Sequence, residues 1–243
     1  FPSGQQHVNL KNDEQLSVED LLYCVVLANA SDACIVLSER VSGNTEAFVE
    51  KMNARVRQMG CTNTNFTNVY GGDSGQAYTT ARDMARITME CIKNEKFKEL
   101  FSAQKYTVPA TNRSDERVVE STNYFVYSTN ITKFYDQKVN GGFQSYSTGT
   151  GASLVWTANY HNMDMVFVVL GCTRQYYENG WQVKVYGNFE EAQTLMNYVY
   201  SNFKATRILY NGQALKQFHV SGADNDMVAE PHLDLDTILP NDA

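Results

Sequence analysis

The chain has 243 residues, 43% of them apolar and 19% charged, with a net charge of −7. That is globular composition, enough for one sizeable domain or one domain plus a small module. With no Lys/Arg cluster in the sequence, nucleic acid and anionic membrane surfaces are not expected partners.

No apolar run approaches the roughly 20 residues that span a bilayer. The five cysteines form no Cys-x-x-Cys and the four histidines share no metal-ligand spacing, so neither a metal nor another cofactor is expected. The cysteines read as buried free thiols, with one incidental disulfide as the alternative. The sequence starts at Phe1, and a preceding segment, including a signal peptide, is compatible with that start.

In chain order, residues 17–41 read as two helices with a short break. Ser17 and Asp20 form a capping box, and apolar residues 21, 22, 25 and 26 follow at helical spacing. Asn29 to Asp32 offers a turn and a fresh N-cap, and Ala33 to Val41 continues until Gly43 stops it. Thr45 is expected to cap the next helix, which Gly60 ends. Residues 60–78 are a polar, glycine-punctuated loop, and residues 79–101 read as one helix capped by Thr79 or Thr80.

From Tyr106 the pattern changes. Residues 105–110, 151–158 and 163–172 are rich in β-branched side chains and read as strands, the last two joined by a hairpin link at 159–162. Residues 188–203 form a long amphipathic helix, and strand-turn-strand character surrounds Asn211 and Gly212. Helices, then strands, then a covering helix imply an α+β fold with an antiparallel sheet. The expected organisation is one domain over 1–203 and the beginning of a small β domain over 204–243.

Several stretches, in order, carry a resemblance. Residues 16–23 and 31–53, the loop 60–71, residues 78–87, Tyr106 to Asn112 and Lys133 to Gly142 follow one family's pattern and spacing. The chain resembles the D-alanyl-D-alanine carboxypeptidases, the low-molecular-weight penicillin-binding proteins, over nearly its whole length. The resemblance implies a β-lactamase/transpeptidase-like domain with a helical subdomain, and export to the cell envelope or beyond. It also implies an acyl-enzyme mechanism on peptidoglycan stem peptides. There, Ser-x-x-Lys supplies nucleophile and base, Ser-x-Asn relays protons, and Lys-Thr-Gly on an edge strand binds the substrate carboxylate.

This chain departs from the family at each motif. The family's Ser-Gly-Asn falls on Asn29, Ala30 and Ser31, whereas the literal Ser42-Gly43-Asn44 falls where the family ends a helix. Lys-Thr-Gly falls on Phe143, Gln144 and Ser145, and Tyr146 occupies the strand position whose amide serves the oxyanion. Phe offers no cation for a carboxylate, and Gln144 offers only a neutral hydrogen bond, weaker than one from Lys or Arg. The strings beginning at Ser102 and Ser201 spell Ser-x-x-Lys, and those at Ser121 and Ser128 spell Ser-x-Asn, all in the wrong places.

The expectation is therefore a pseudoenzyme with no intact catalytic residue and a binding or structural role, its partner a peptidoglycan peptide or a protein. The alternatives are a divergent but active carboxypeptidase and a β-lactamase relative put to another use. Asn29 to Ser31 also reads as a plain interhelical turn, and Phe143 as a packed strand residue. The family's first strands and nucleophile helix would precede this chain. Without them the faces of residues 154–158 and 165–172 would lie open, so an upstream segment or another chain is expected to supply that part.

Overall fold

The computed structural model describes residues 5–127, 129, 131–178, 180, 182–218, 221 and 227–242. Contacts divide the chain into two units, one of residues 1–158 and 165–194, the other of residues 159–164 and 195–243.

The first unit begins with a helical layer. α1 (Val18–Ala28) starts on the Ser17–Asp20 capping box, in which both reciprocal bonds are made. α2 (Ser31–Ser42) ends at Gly43, whose φ of +85° only glycine adopts without strain. α3 (Thr45–Gln58) is capped by Asn44, whose side chain accepts from Ala47 N–H, so Thr45 is already helical and not the cap. The N-cap expected within 29–32 falls on Ala30, which makes no side-chain capping bond because its methyl has no acceptor.

The single helix expected over 79–101 is two: α4 (Ala81–Cys91), capped by Thr80, and α5 (Glu95–Ser102). Asn94 makes the break, its side-chain oxygen accepting from Phe97 N–H and starting a new helix. β1 (Lys105–Val108) is shorter than expected and pairs with β2 (Arg117–Glu120), a strand the sequence pattern did not reveal. The face of α1 carrying Leu21, Cys24 and Leu27 packs with Leu100, Val108 and Val119 into one buried cluster. Tyr23 and Tyr106 stack there with ring centroids 3.8 Å apart.

A three-stranded antiparallel sheet follows, in the order β3 (Val139–Ser147), β4 (Gly151–Tyr160), β5 (Met163–Cys172). His161 and Asn162 turn β4 into β5 with φ of 49° and 62°, the positive pair of a two-residue hairpin. β6 (Arg174–Tyr176) and β7 (Val183–Tyr186) form a further hairpin not foreseen from sequence, and α6 (Gly187–Asn202) follows.

The expected open face is not found on β4. Trp156 is fully buried, stacked on Phe167 at 4.9 Å and packed by Phe125, and Leu154 and Val155 are buried too. β5 is half-buried, with Leu170 exposed. All five cysteines are free thiols, Cys24 and Cys61 buried and the other three half-buried.

In the second unit, β8 (Phe203–Leu209) pairs with β11 (Leu235–Pro240), and β9 (Lys216–Phe218) with β10 (Met227–Ala229). The strand-turn-strand character read around Asn211–Gly212 is present as β8, a turn and β9, and the two strands pair with distant partners and not with each other. Arg207 on β8 bridges Asp234 and Asp236, which fixes that pairing at one end.

Candidate functional site

The α1–α2 junction and β3 meet through one hydrogen bond. Asn29 ends α1 in the left-handed conformation (φ 51°, ψ 38°), which Asn tolerates better than most side chains. From there its Nδ2 donates to the carbonyl of Gln144 at 3.3 Å. Ala30 is fully buried. Ser31, only 1% exposed, donates its hydroxyl to the Gln6 carbonyl at 2.8 Å, and its own N–H donates to the same oxygen. The Ser31 hydroxyl is thus committed to the N-terminal segment.

Asp32 next to it is fully buried and accepts from the backbone N–H groups of Val8, Leu10 and Ala33. The carboxylate holds residues 8–10 against the start of α2. Main-chain donors take the place of water around its charge.

β3 is an edge strand, hydrogen-bonded within its sheet only to β4 among the described residues. Phe143 lies half-buried against α5, edge-on to Phe101 at 4.8 Å and to Phe97 at 6.0 Å. Strand alternation sends Gln144 and Tyr146 to the opposite face, while Ser145 is exposed. Tyr146 carries the Arg174 guanidinium 4.8 Å from its ring and Tyr176 at 6.0 Å. Burial first, and then the Tyr176 phenol, push the Tyr146 hydroxyl pKa up. Gly142 is held between Asn123, Val155 and Trp156, where a Cβ would come within 2.6 Å of the Asn123 amide nitrogen.

Ser42 to Asn44 does what a helix boundary does: Gly43 ends α2 and Asn44 caps α3. Ser102 closes α5, and its hydroxyl donates to the Glu99 carbonyl, while Lys105 lies beside Glu120. Ser201 lies at the end of α6, and Lys204 donates to the Asn241 carbonyl. Neither pair stands at a helix N-terminus. Ser121 accepts from Asn123 N–H in a local turn, and Ser128 lies outside the described residues.

Two features were not singled out from sequence. Arg174 sits among Tyr146, Tyr176 and Tyr186, its Nε buried without a hydrogen-bond partner, and it has no ion pair among the described residues. The 60–78 loop, read only as polar, is tied into a fixed shape. Asn65 pairs with Tyr78 through backbone bonds in both directions, and Asn68 binds Tyr70 and Gly72. The loop brings Asp73 to the β3–β4 turn, where a Cβ on Gly149 would lie 3.0 Å from Asp73 Oδ2. The Asn-x-x-x-Gly spacing from Asn68 was the available signal for a side-chain-tied turn.

The sequence pattern of the D-alanyl-D-alanine carboxypeptidases matches residues 2–174. The chain belongs to the D-alanyl-D-alanine carboxypeptidase family. It is 30% identical over 232 residues to D-alanyl-D-alanine carboxypeptidase DacA of Haemophilus influenzae, covering 94% of this chain and 53% of that protein. It is 33% identical over 175 residues to DacC of Escherichia coli, covering 69% of this chain and 39% of that one. The chain thus spans about half or less of these relatives' length.

Among solved structures it is similar to penicillin-binding protein 5 of H. influenzae, with a TM-score of 0.76 and 27% identity over 98% of this chain and 64% of the other. PBP3 of Streptococcus pneumoniae, at 22% identity and a TM-score of 0.76 over 99% of this chain and 66% of the other, shares the fold. The α+β transpeptidase-like fold of the carboxypeptidase family is therefore present across nearly the whole chain. The family is one of cell-envelope penicillin-binding proteins. No helix among the described residues is long and apolar enough to cross a membrane.

Proposed function

We propose that this family member binds peptidoglycan stem peptides ending in D-Ala-D-Ala in the cell envelope without hydrolysing them. The observation that carries this reading is Phe143. At the Lys position of Lys-Thr-Gly it offers a ring, and that ring is packed against Phe97 and Phe101. Ser31 supports the same reading, since a buried hydroxyl committed to Gln6 has no route to a substrate proton.

What remains at β3 suits binding. Its open edge offers main-chain donors and acceptors to an extended peptide. Gln144 can donate to a terminal carboxylate, and Arg174 supplies positive charge on that face of the strand. The Asn29–Gln144 bond keeps the second-motif junction beside that edge, which is also what favours a second reading, a divergent but active carboxypeptidase.

Titration with N-acetyl-Lys-D-Ala-D-Ala separates the two. Saturable binding with no free D-Ala after prolonged incubation is expected, and Arg174→Ala should weaken it. Catalytic release of D-Ala would overturn the proposal.

A further inference from the structure

We infer that Asn211 is a self-modifying site: its side-chain amide is lost to attack by the Gly212 nitrogen, and the carboxylate so formed loosens the turn that follows β8 in the second unit. The inference is independent of the peptide-binding reading and uses none of its residues.

The sequence contains three Asn-Gly pairs, at Asn140, Asn179 and Asn211. Glycine after asparagine leaves the main-chain nitrogen unshielded by any Cβ, so that nitrogen can reach the asparagine Cγ. The structure separates the pairs. Asn179 lies outside the described residues. Asn140 sits in β3, flanked by Val139 paired with Ala158 and Gly141 paired with Thr157. Gly141 is buried, and a Cβ on it would come within 2.4 Å of the Phe101 carbonyl oxygen. A strand held by β4 on one side and by the end of α5 on the other has no freedom to turn Cγ onto the next nitrogen.

Asn211 and Gly212 are both exposed, in a turn outside any strand. Gly212 has a φ of +73°, which glycine takes without strain. One hydrogen bond guards the nucleophile, from Gly212 N–H to the Pro231 carbonyl at 3.0 Å, and its opening sets the pace. The freed nitrogen loses its proton to water and attacks Asn211 Cγ. A C–N bond forms, the Cγ–Nδ2 bond breaks, and Nδ2 takes up a proton and leaves as ammonia. Water then opens the resulting succinimide at either carbonyl, giving aspartate or isoaspartate. The net change is an amide exchanged for a carboxylate, and water is the only co-reactant.

The new charge arises beside Asp234, which accepts Asn211 N–H at 2.9 Å and pairs with Arg207. Arg207 already serves Asp236 as well, so a further carboxylate there is repelled. Isoaspartate also lengthens the main chain by a carbon, within a turn whose N–H groups at Asn211, Gly212 and Gln213 all hold fixed partners.

The full chain, held in mildly alkaline buffer at physiological temperature, is digested at intervals for peptide mass mapping. Isoaspartyl methyltransferase labels the rearranged product. Conversion is expected at Asn211 first, while Asn140 stays intact in the folded chain and converts only after unfolding in urea. Asn211→Gln, whose longer side chain needs a larger ring, should remain unmodified. Amide hydrogen exchange in the aged protein should speed up at Gly212 and Gln213. An Asn211 that survives as long as Asn140 in the folded chain overturns the site. Conversion that leaves exchange at Gly212 and Gln213 unchanged overturns its effect on the turn.

Discussion

The α1–α2 junction and strand β3 meet through the Asn29–Gln144 hydrogen bond, and they are held in opposite ways. At the junction the residue types are polar still, but their polar atoms are turned inward. Ser31 donates to Gln6, and Asp32 collects the N–H groups of Val8, Leu10 and Ala33. At β3, Phe143 joins an aromatic cluster with α5. One position is a hydrogen-bonded anchor and the other is hydrophobic packing.

If the junction is an anchor, its carboxylate carries the larger share of stability. Asp32→Ala leaves three backbone donors without their partner at once, one of them buried, and is expected to cost about 3 kcal/mol in urea denaturation. Phe143→Ala removes a half-buried ring and two edge contacts, for about 2 kcal/mol. An Asp32→Ala cost below that of Phe143→Ala would reverse the contrast between the two regions. At the point where they touch, Asn29→Ala forces a non-glycine residue without a helpful side chain into the left-handed region, for about 1 kcal/mol. Asn29→Gly should be nearly neutral, because it removes the Gln144 contact without that strain. Equal losses for the two variants would move the cost from the backbone to the hydrogen bond.

The smallest expected effect is alkaline. Burial pushes the Cys24 thiol from 9.0 to about 11, and the hydrogen bond to Asp20, with burial, pushes the Tyr106 hydroxyl from 10.0 to about 12. Both folded-state values lie above the unfolded ones, so the folded chain holds these protons longer. The associated stability is whole below about pH 9 and declines as pH rises toward 12. Tyr106→Phe should flatten the decline between pH 10 and 12 in a melting-temperature series. An unchanged slope would assign it to other groups.

What could be read in the sequence was what is decided locally. The capping box at Ser17, the stop at Gly43 and the hairpin at His161–Asn162 each depend on residues within a few positions. The α4–α5 break was missed because Asn94 sits in an otherwise helical pattern and acts through a single side-chain oxygen. The pairing of β8 with β11 has no local signal, because the two strands are roughly 25 residues apart in the chain. The same limit governed the site. Family register located Asn29 and Phe143, but the partners that decide what they do are far away in sequence: Gln144 for Asn29, Gln6 for Ser31, and Phe97 and Phe101 for Phe143. Asp73 over Gly149 and Arg174 over Tyr146 are long-range placements of the same kind, with no local signature.

Labelling of the folded protein with a fluorescent penicillin tests the proposal of binding without hydrolysis most directly. On the proposed reading, in which the packed Phe143 replaces the third-motif cation, no band should survive boiling in denaturant. A covalent adduct that does survive, and that unlabelled penicillin competes away, would mean an acylatable serine works in this cleft despite Phe143 and Ser31.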